Sequence, residues 1–261
     1  MKRSTIWAWV WIGFGALYFF LPLYATLQFS LKAQKGVLSL LAYQNVVEDP
    51  RFFRTFVFSL EMALLSVVVS ILLLVPTAYW VHLRLPRLRP LVELITLVPF
   101  VIPAVVLVFG LIRTYSRPPI NLVSSPALLV AGYVVLSMPY MYRAVDTGLR
   151  SMDVRSLTEA AQSLGAGWPT ILFRVILPNL RAALLSGAFL TVAIVIGEFT
   201  LASLLAWPAF GPYMALLGQD RAYEPAALAI MSFGLTWLAM MLIYFLGRGR
   251  QAGQGQMAGA R

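Results

Sequence analysis

Residues 6–29 read IWAWVWIGFGALYFFLPLYATLQF, without one charged side chain. A helix of that length rises about 1.5 Å per residue and outruns the roughly 30 Å hydrocarbon core of a bilayer. The preceding MKRST imitates the basic start of a secretory signal. A cleaved signal has an apolar region of only about 7–15 residues, so this run reads as a retained first span. Five more apolar runs follow, at roughly 55–82, 91–113, 127–145, 182–206 and 224–246. Composition supports the reading: 60% of the residues are apolar, 11% are charged, and mean hydropathy is +0.82. Soluble domains carry about 25% charged residues because their surfaces must be wetted. The expected fold is all-α and polytopic, with about six transmembrane helices in one domain covering 1–261.

Several function classes are excluded at once. There is no cysteine, hence no disulfide, thiol nucleophile or Cys-ligated metal. The single histidine, His82, cannot make a His-based metal site or an imidazole relay alone. No GxxxxGK[ST] phosphate loop is present, and no catalytic constellation is visible. The chain is read as not an enzyme, with no cofactor and no metal of its own. The net charge of +10 would suggest nucleic acid in a soluble protein. Here the basic residues cluster at the ends of apolar runs, where they set topology and meet anionic headgroups. With the N-terminus cytoplasmic, that side holds thirteen Lys and Arg and the other side seven. The RLPRLRP turn (84–90) and Arg248 and Arg250 beyond the last run weigh most. Both termini are expected in the cytoplasm.

Prolines interrupt the spans. Pro76 falls in the second, and Pro99 and Pro103 in the third. Each removes a backbone donor and kinks a helix, giving either a bent packed helix or a hinge beside a pore.

One cytoplasmic loop is long. From about Asp146 to about Arg181 it reads DTGLRSMDVRSLTEAAQSLGAGWPTILFRVILPNLR. Ser156 with Glu159 three residues on has the form of a capping box. Leu157, Ala160, Ala161 and Leu164 then recur at helical spacing. Gly165 stands where a helix ends in a left-handed residue. Trp168-Pro169 restarts a helix, Ile171, Leu172, Val175 and Ile176 give it an apolar stripe, and Pro178 ends it. Two short amphipathic helices about a glycine turn are predicted. Short helices are marginal alone, so these pack on the span ends, on a partner protein, or on both.

The stretch 159–178, EAAQSLGAGWPTILFRVILP, resembles the cytoplasmic signature of permease subunits in binding-protein-dependent ABC importers. The family pattern is Glu-Ala-Ala, three residues, Gly, nine residues, Ile, one residue, Leu-Pro. Glu159, Ala160, Ala161, Gly165, Leu177 and Pro178 match it, and Val175 replaces the isoleucine. The six-span layout is similar too. The resemblance implies that this loop is a coupling helix docking on a separate ATP-binding cassette subunit. It also implies a second permease subunit (identical or different), an extracytoplasmic solute-binding protein, and residence in the bacterial inner membrane.

Acidic residues inside the spans bear on the cargo. Glu61, Glu93 and Glu198 fall in or near spans two, three and five. An ionised group at a span centre is unfavourable by about 2.5–3.5 kcal/mol on insertion scales. Glu198, beside Gly197, is the candidate residue of a translocation path; it either contacts a passing cation or is a carboxylate satisfied within the protein. The stretch GEFTLASLL (197–205) is similar to the branch containing spermidine/putrescine importers. That implies a polyamine-like cation, with ferric iron, sulfate or phosphonate as alternatives. A secondary transporter or channel is the competing class, but it leaves the signature loop without a role.

Overall fold

The computed structural model describes residues 2–34, 36–119 and 121–248. Apart from one isolated bridge between Gln34 and Val37, regular structure among the described residues is helical. In chain order the helices are α1 (Lys2–Ser30), α2 (Leu41–Glu48), α3 (Pro50–Arg84), α4 (Arg89–Val101), α5 (Ala104–Tyr115), α6 (Pro126–Arg150) and α7 (Val154–Ser163). Then come α8 (Trp168–Thr170), a π-helical segment (Ile171–Ile176), α9 (Leu177–Asn179), α10 (Arg181–Gly197), α11 (Thr200–Leu204), α12 (Phe210–Asp220) and α13 (Glu224–Arg248). Arg250 and Arg261, counted in the charge balance, lie outside the described residues, as does Lys35.

The fold is an all-α membrane architecture. The stretches Trp7–Ser30, Pro50–Arg84 and Pro126–Arg150 are each long and apolar enough to cross a bilayer. Two bent helix pairs, Pro86–Val101 with Ala104–Tyr115 and Trp168–Asn179 with Arg181–Gly197, raise the number to at most five, each pair being counted as one span. The sixth apolar run forms α13. Pro76 leaves α3 unbroken, whereas the third run breaks at Ile102–Pro103. Its two halves meet at 101°. Pro103 has no N–H to continue α4, and it takes the extended backbone that starts α5 (φ −58°, ψ 141°).

The described contacts group into two compact units, Met1–Arg54 with Tyr213–Leu238, and Thr55–Pro212 with Ala239–Arg261. In the first, α1 exposes its apolar side chains all round, from Trp7, Trp9 and Trp11 to Phe29. A helix this apolar is stable only against lipid or another apolar surface. A polar set closes the loops of this unit. Glu224 accepts hydrogen bonds from Asn45 (2.9 Å) and Arg221 (3.1 Å), and Asp49 pairs with Arg51 (2.8 Å).

The second unit carries the signature loop. Its most extensive helix pairing is α6 on α10. Glycines allow the approach: a Cβ on Gly148 would lie 2.7 Å from Ala183 Cβ, and one on Gly187 would lie 2.6 Å from Met141 Sδ. Around this pair, Tyr79, Met141, Val145, Leu149, Ile171, Ile176 and Leu180 form a buried core. The core joins the ends of α3, α6 and α10 to the loop over 151–180.

Candidate functional site: the signature loop and the groove above it

Helix α6 runs on to Arg150, so the loop proper is shorter than its sequence suggests. Helix α7 starts at Val154, two residues before Ser156, and its cap is Asp153. The Ser156 backbone N–H and hydroxyl donate to the two Asp153 oxygens at 3.1 and 2.6 Å. These bonds hold the Asp153 carboxyl below its ordinary range. The expected Ser156–Glu159 box is thereby corrected. A carboxylate three residues upstream of Ser156 outcompetes its hydroxyl for the first free N–H groups. Glu159 instead pairs with Arg155 at 2.9 Å, which raises the Arg155 guanidinium above its usual value.

The α7 face that packs inward is Val154, Thr158 and Ala161, with Leu157 half-buried. Arg155, Glu159, Ala160, Gln162 and Ser163 face outward. Leu164, expected on the packed stripe, is 89% exposed at the tip of the loop. The turn after it is a Schellman motif: Gly165 N–H reaches Gln162 O (2.9 Å) and Ala166 N–H reaches Ala161 O (3.0 Å). Gly165 sits at φ +79°, the conformation glycine tolerates best.

The second helix begins at Trp168 with Pro169 in its first turn, widens to the π segment, and turns by 77° into α10. Pro178 lies one residue inside its last turn rather than at its end. Val175 and Leu177 pack against the core. Of the signature residues, then, Glu159 and Ala160 face outward, Ala161, Val175 and Leu177 face the scaffold, and Gly165 makes the turn.

The sequence did not single out the contacts that tie this loop to α3. Tyr79 Oη lies 2.9 Å from Thr158 Oγ1, and both residues are buried. Trp80 and Trp168 rings meet at 4.8 Å, and the Arg84 guanidinium lies over Trp168 at 5.9 Å. Two tryptophans and a basic residue near the ends of apolar segments are the signal that would have found this cluster.

Above the loop, α4, α6 and α10 line a cavity of about 700 Å³, with Phe100, Tyr140, Arg143, Thr147, Ser186 and Leu190 on its walls. A polar annex of about 280 Å³ adjoins it and shares Leu97, Pro139, Arg143 and Thr147. A charge network lies here. Asp146 is bound by His82 (2.7 Å), Arg89 (3.0 Å) and Arg150 (2.8 Å), and Arg150 also holds Glu93 (2.7 Å). Glu93 is therefore paired within the protein.

Glu198 lies between α10 and α11. Its carboxylate accepts the backbone N–H groups of Thr200 (2.7 Å), Leu201 (2.9 Å) and Ala202 (3.3 Å). It caps α11, and the carboxylate's capacity is largely taken. Nothing lies within 4 Å of where a Gly197 Cβ would stand; the close approach is at Gly211, against the Glu198 backbone.

The family model for the inner membrane component of binding-protein-dependent transport systems matches residues 75–251, from mid-α3 past α13. The chain belongs to that family. This permease is 26% identical over 216 residues to the spermidine/putrescine transport system permease protein PotB of Escherichia coli, covering 74% of this chain and 78% of that one. It is 30% identical over 201 residues to a probable molybdenum ABC transporter permease protein of Haloferax volcanii, covering 72% and 73%. It is 26% identical over 257 residues to the molybdate/tungstate transport system permease protein WtpB of Pyrococcus furiosus, covering 97% and 100%. A chain of a bacterial ABC transporter that imports the acidic polysaccharide alginate shares the fold, with TM-score 0.69 at 15% identity over 96% and 97% of the two chains. The permease is thus a membrane transport subunit of an ABC importer and not an enzyme.

Proposed function

We propose that this permease, acting as one domain over 1–261 with both termini in the cytoplasm, moves a small oxyanion across the inner membrane. It would work with a second permease, identical or different, an ATP-binding cassette subunit and an extracytoplasmic binding protein. The observation that carries the ATPase partner is the α7 turn. One face of α7 is fixed to the span ends, while Glu159, Ala160 and the 89%-exposed Leu164 project outward. An apolar residue so exposed at a rigid tip fits a groove on a partner. ATP binding falls to that partner, because this chain has no phosphate loop.

Two observations support an oxyanion. The relatives that match at 30% identity and over 97% of this chain carry molybdenum and molybdate/tungstate in their names. The polyamine reading rested on the resemblance of residues 197–205 together with Glu198, and the second of these supports is weakened because the Glu198 carboxylate is committed to three backbone N–H groups. The name of the Escherichia coli relative keeps a polyamine as the second reading. The test is uptake by proteoliposomes holding the assembled transporter, with labelled molybdate, sulfate and putrescine in parallel. ATP- and binding-protein-dependent uptake of an oxyanion is expected. Uptake of putrescine alone would replace the oxyanion by the polyamine.

A further inference from the structure

Arg143 lies on α6 seven residues before Arg150, about 10 Å along the helix from its C-terminal end. It points to solvent-accessible space, and among the described residues it has no ion pair or hydrogen bond. Near the end of a span an unpaired arginine either reaches the headgroups or faces a water-filled cavity. Arg143 stands where the 700 Å³ cavity and its polar annex join, for it lines both. Thr147, one turn on, lines both as well.

A second group, on a residue that lines the annex, is a buried hydroxyl. Tyr142 is only 3% exposed, and among the described residues its hydroxyl has no hydrogen-bond partner. Buried hydroxyls are seldom left so. The carboxylates in the annex, Glu93 and Asp146, do not neutralise Arg143, because Arg89 and Arg150 already pair with them. Two carboxylates stand against three arginines, which leaves one unmatched positive charge at the junction.

We propose that Arg143, with the hydroxyls of Tyr142 and Thr147, is the station of the passage that selects a small tetrahedral oxyanion in transit. A guanidinium presents parallel N–H donors that match two oxygens of one anion, and it repels a cation. The hydroxyls add donors for the remaining oxygens. The inference rests on the oxyanion reading above and names the residues that act on it.

The test uses the assembled transporter in proteoliposomes with labelled molybdate. Arg143→Gln is expected to lower ATP-driven uptake at least tenfold, while binding-protein-stimulated ATP hydrolysis stays within twofold. Arg143→Lys keeps the charge and loses the fork, and should lie between; Tyr142→Phe should lose uptake severalfold. Uptake by Arg143→Gln within twofold of the wild type would overturn the proposal, the side chain then reaching only the headgroups. Should Arg143→Gln fail to assemble, Ser186→Cys on the wall of the same cavity leaves Arg143, Tyr142 and Thr147 in place in a chain otherwise free of cysteine. Molybdate under turnover is expected to slow its modification by an anionic thiol reagent at least threefold, and no slowing would overturn the proposal. A wild-type transporter that moves putrescine and not molybdate would defeat the oxyanion reading itself. One that moves molybdate regardless of Arg143 would defeat only this inference.

Discussion

Thr158→Val removes one oxygen and keeps the shape of the side chain. Thr158 Oγ1 donates its only proton to Val154 O at 2.7 Å, so the 2.9 Å contact with Tyr79 must be donated by the tyrosine. Both residues are 2% exposed. The variant therefore leaves a buried tyrosine O–H without an acceptor. Such a group is unfavourable by about 1–3 kcal/mol, and about 1.4 kcal/mol is a factor of ten in an equilibrium. The docking of α7 on the end of α3 should weaken by roughly fivefold to a hundredfold. Adding Tyr79→Phe removes the stranded hydroxyl, so the double variant should recover most of the loss. Amide hydrogen exchange across 154–163 reads this directly. Exchange should quicken in Thr158→Val and return to within about threefold of the wild type in the double variant. An unchanged rate in the single variant, or a faster one in the double, would refute the reasoning.

Three further outcomes are expected. Glu198→Ala strands the N–H groups of Thr200, Leu201 and Ala202 and should destabilise the purified permease by about 2–4 kcal/mol in denaturant unfolding, whereas Glu198→Gln, which retains an acceptor oxygen, should lose less than half of that; equal losses would contradict the capping role. Gly165→Ala forces a Cβ into φ +79° at about 1–2 kcal/mol, and Gly165→Pro also removes the N–H bonded to Gln162, so ATPase co-purification should fall in the first and vanish in the second. Because the folded Asp153 carboxyl lies below its unfolded value of about 3.9, its cap is fully present above that pH and is lost as pH falls through the lower folded value; protection of α7 amides should hold from pH 8 to 5, drop below about pH 4, and show no such acid step in Asp153→Ser.

Much of this was legible in the residues. The apolar runs became helical, because an apolar chain in lipid must satisfy its backbone within itself. Among the described residues, however, only three give an unbroken helix long enough to count as a span, and the third and fifth break at Ile102–Pro103 and Glu198–Phe199. Gly165 was readable from its place after a periodic run, and the structure gives it the left-handed turn. Faces were harder. The spacing of Leu157, Ala160, Ala161 and Leu164 shows a helix but not which stripe packs; the buried set proved to be Val154, Thr158 and Ala161, one of them a threonine held by Tyr79. The partner that decides this lies on α3, far off in sequence. Glu198 looked like a lone intramembrane charge because its partners are backbone amides, which no residue pattern displays. Arg143 was legible only as one more positive charge near a span end. Its exposure to a cavity depends on how α4 and α10 close about α6.

The central claim, that the α7 turn couples this permease to an ATP-hydrolysing subunit, is tested most directly by a cross-link from its tip. Leu164→Cys places the chain's single thiol on the 89%-exposed residue. In membranes holding the assembled transporter, a short thiol-to-amine reagent should join the permease to its ATPase in one product, and nucleotide should change the yield. The same reagent on Ser39→Cys, in the loop before α2 and expected on the opposite side of the membrane, should give no ATPase product. Cross-linking from Ser39→Cys but not from Leu164→Cys would contradict the account.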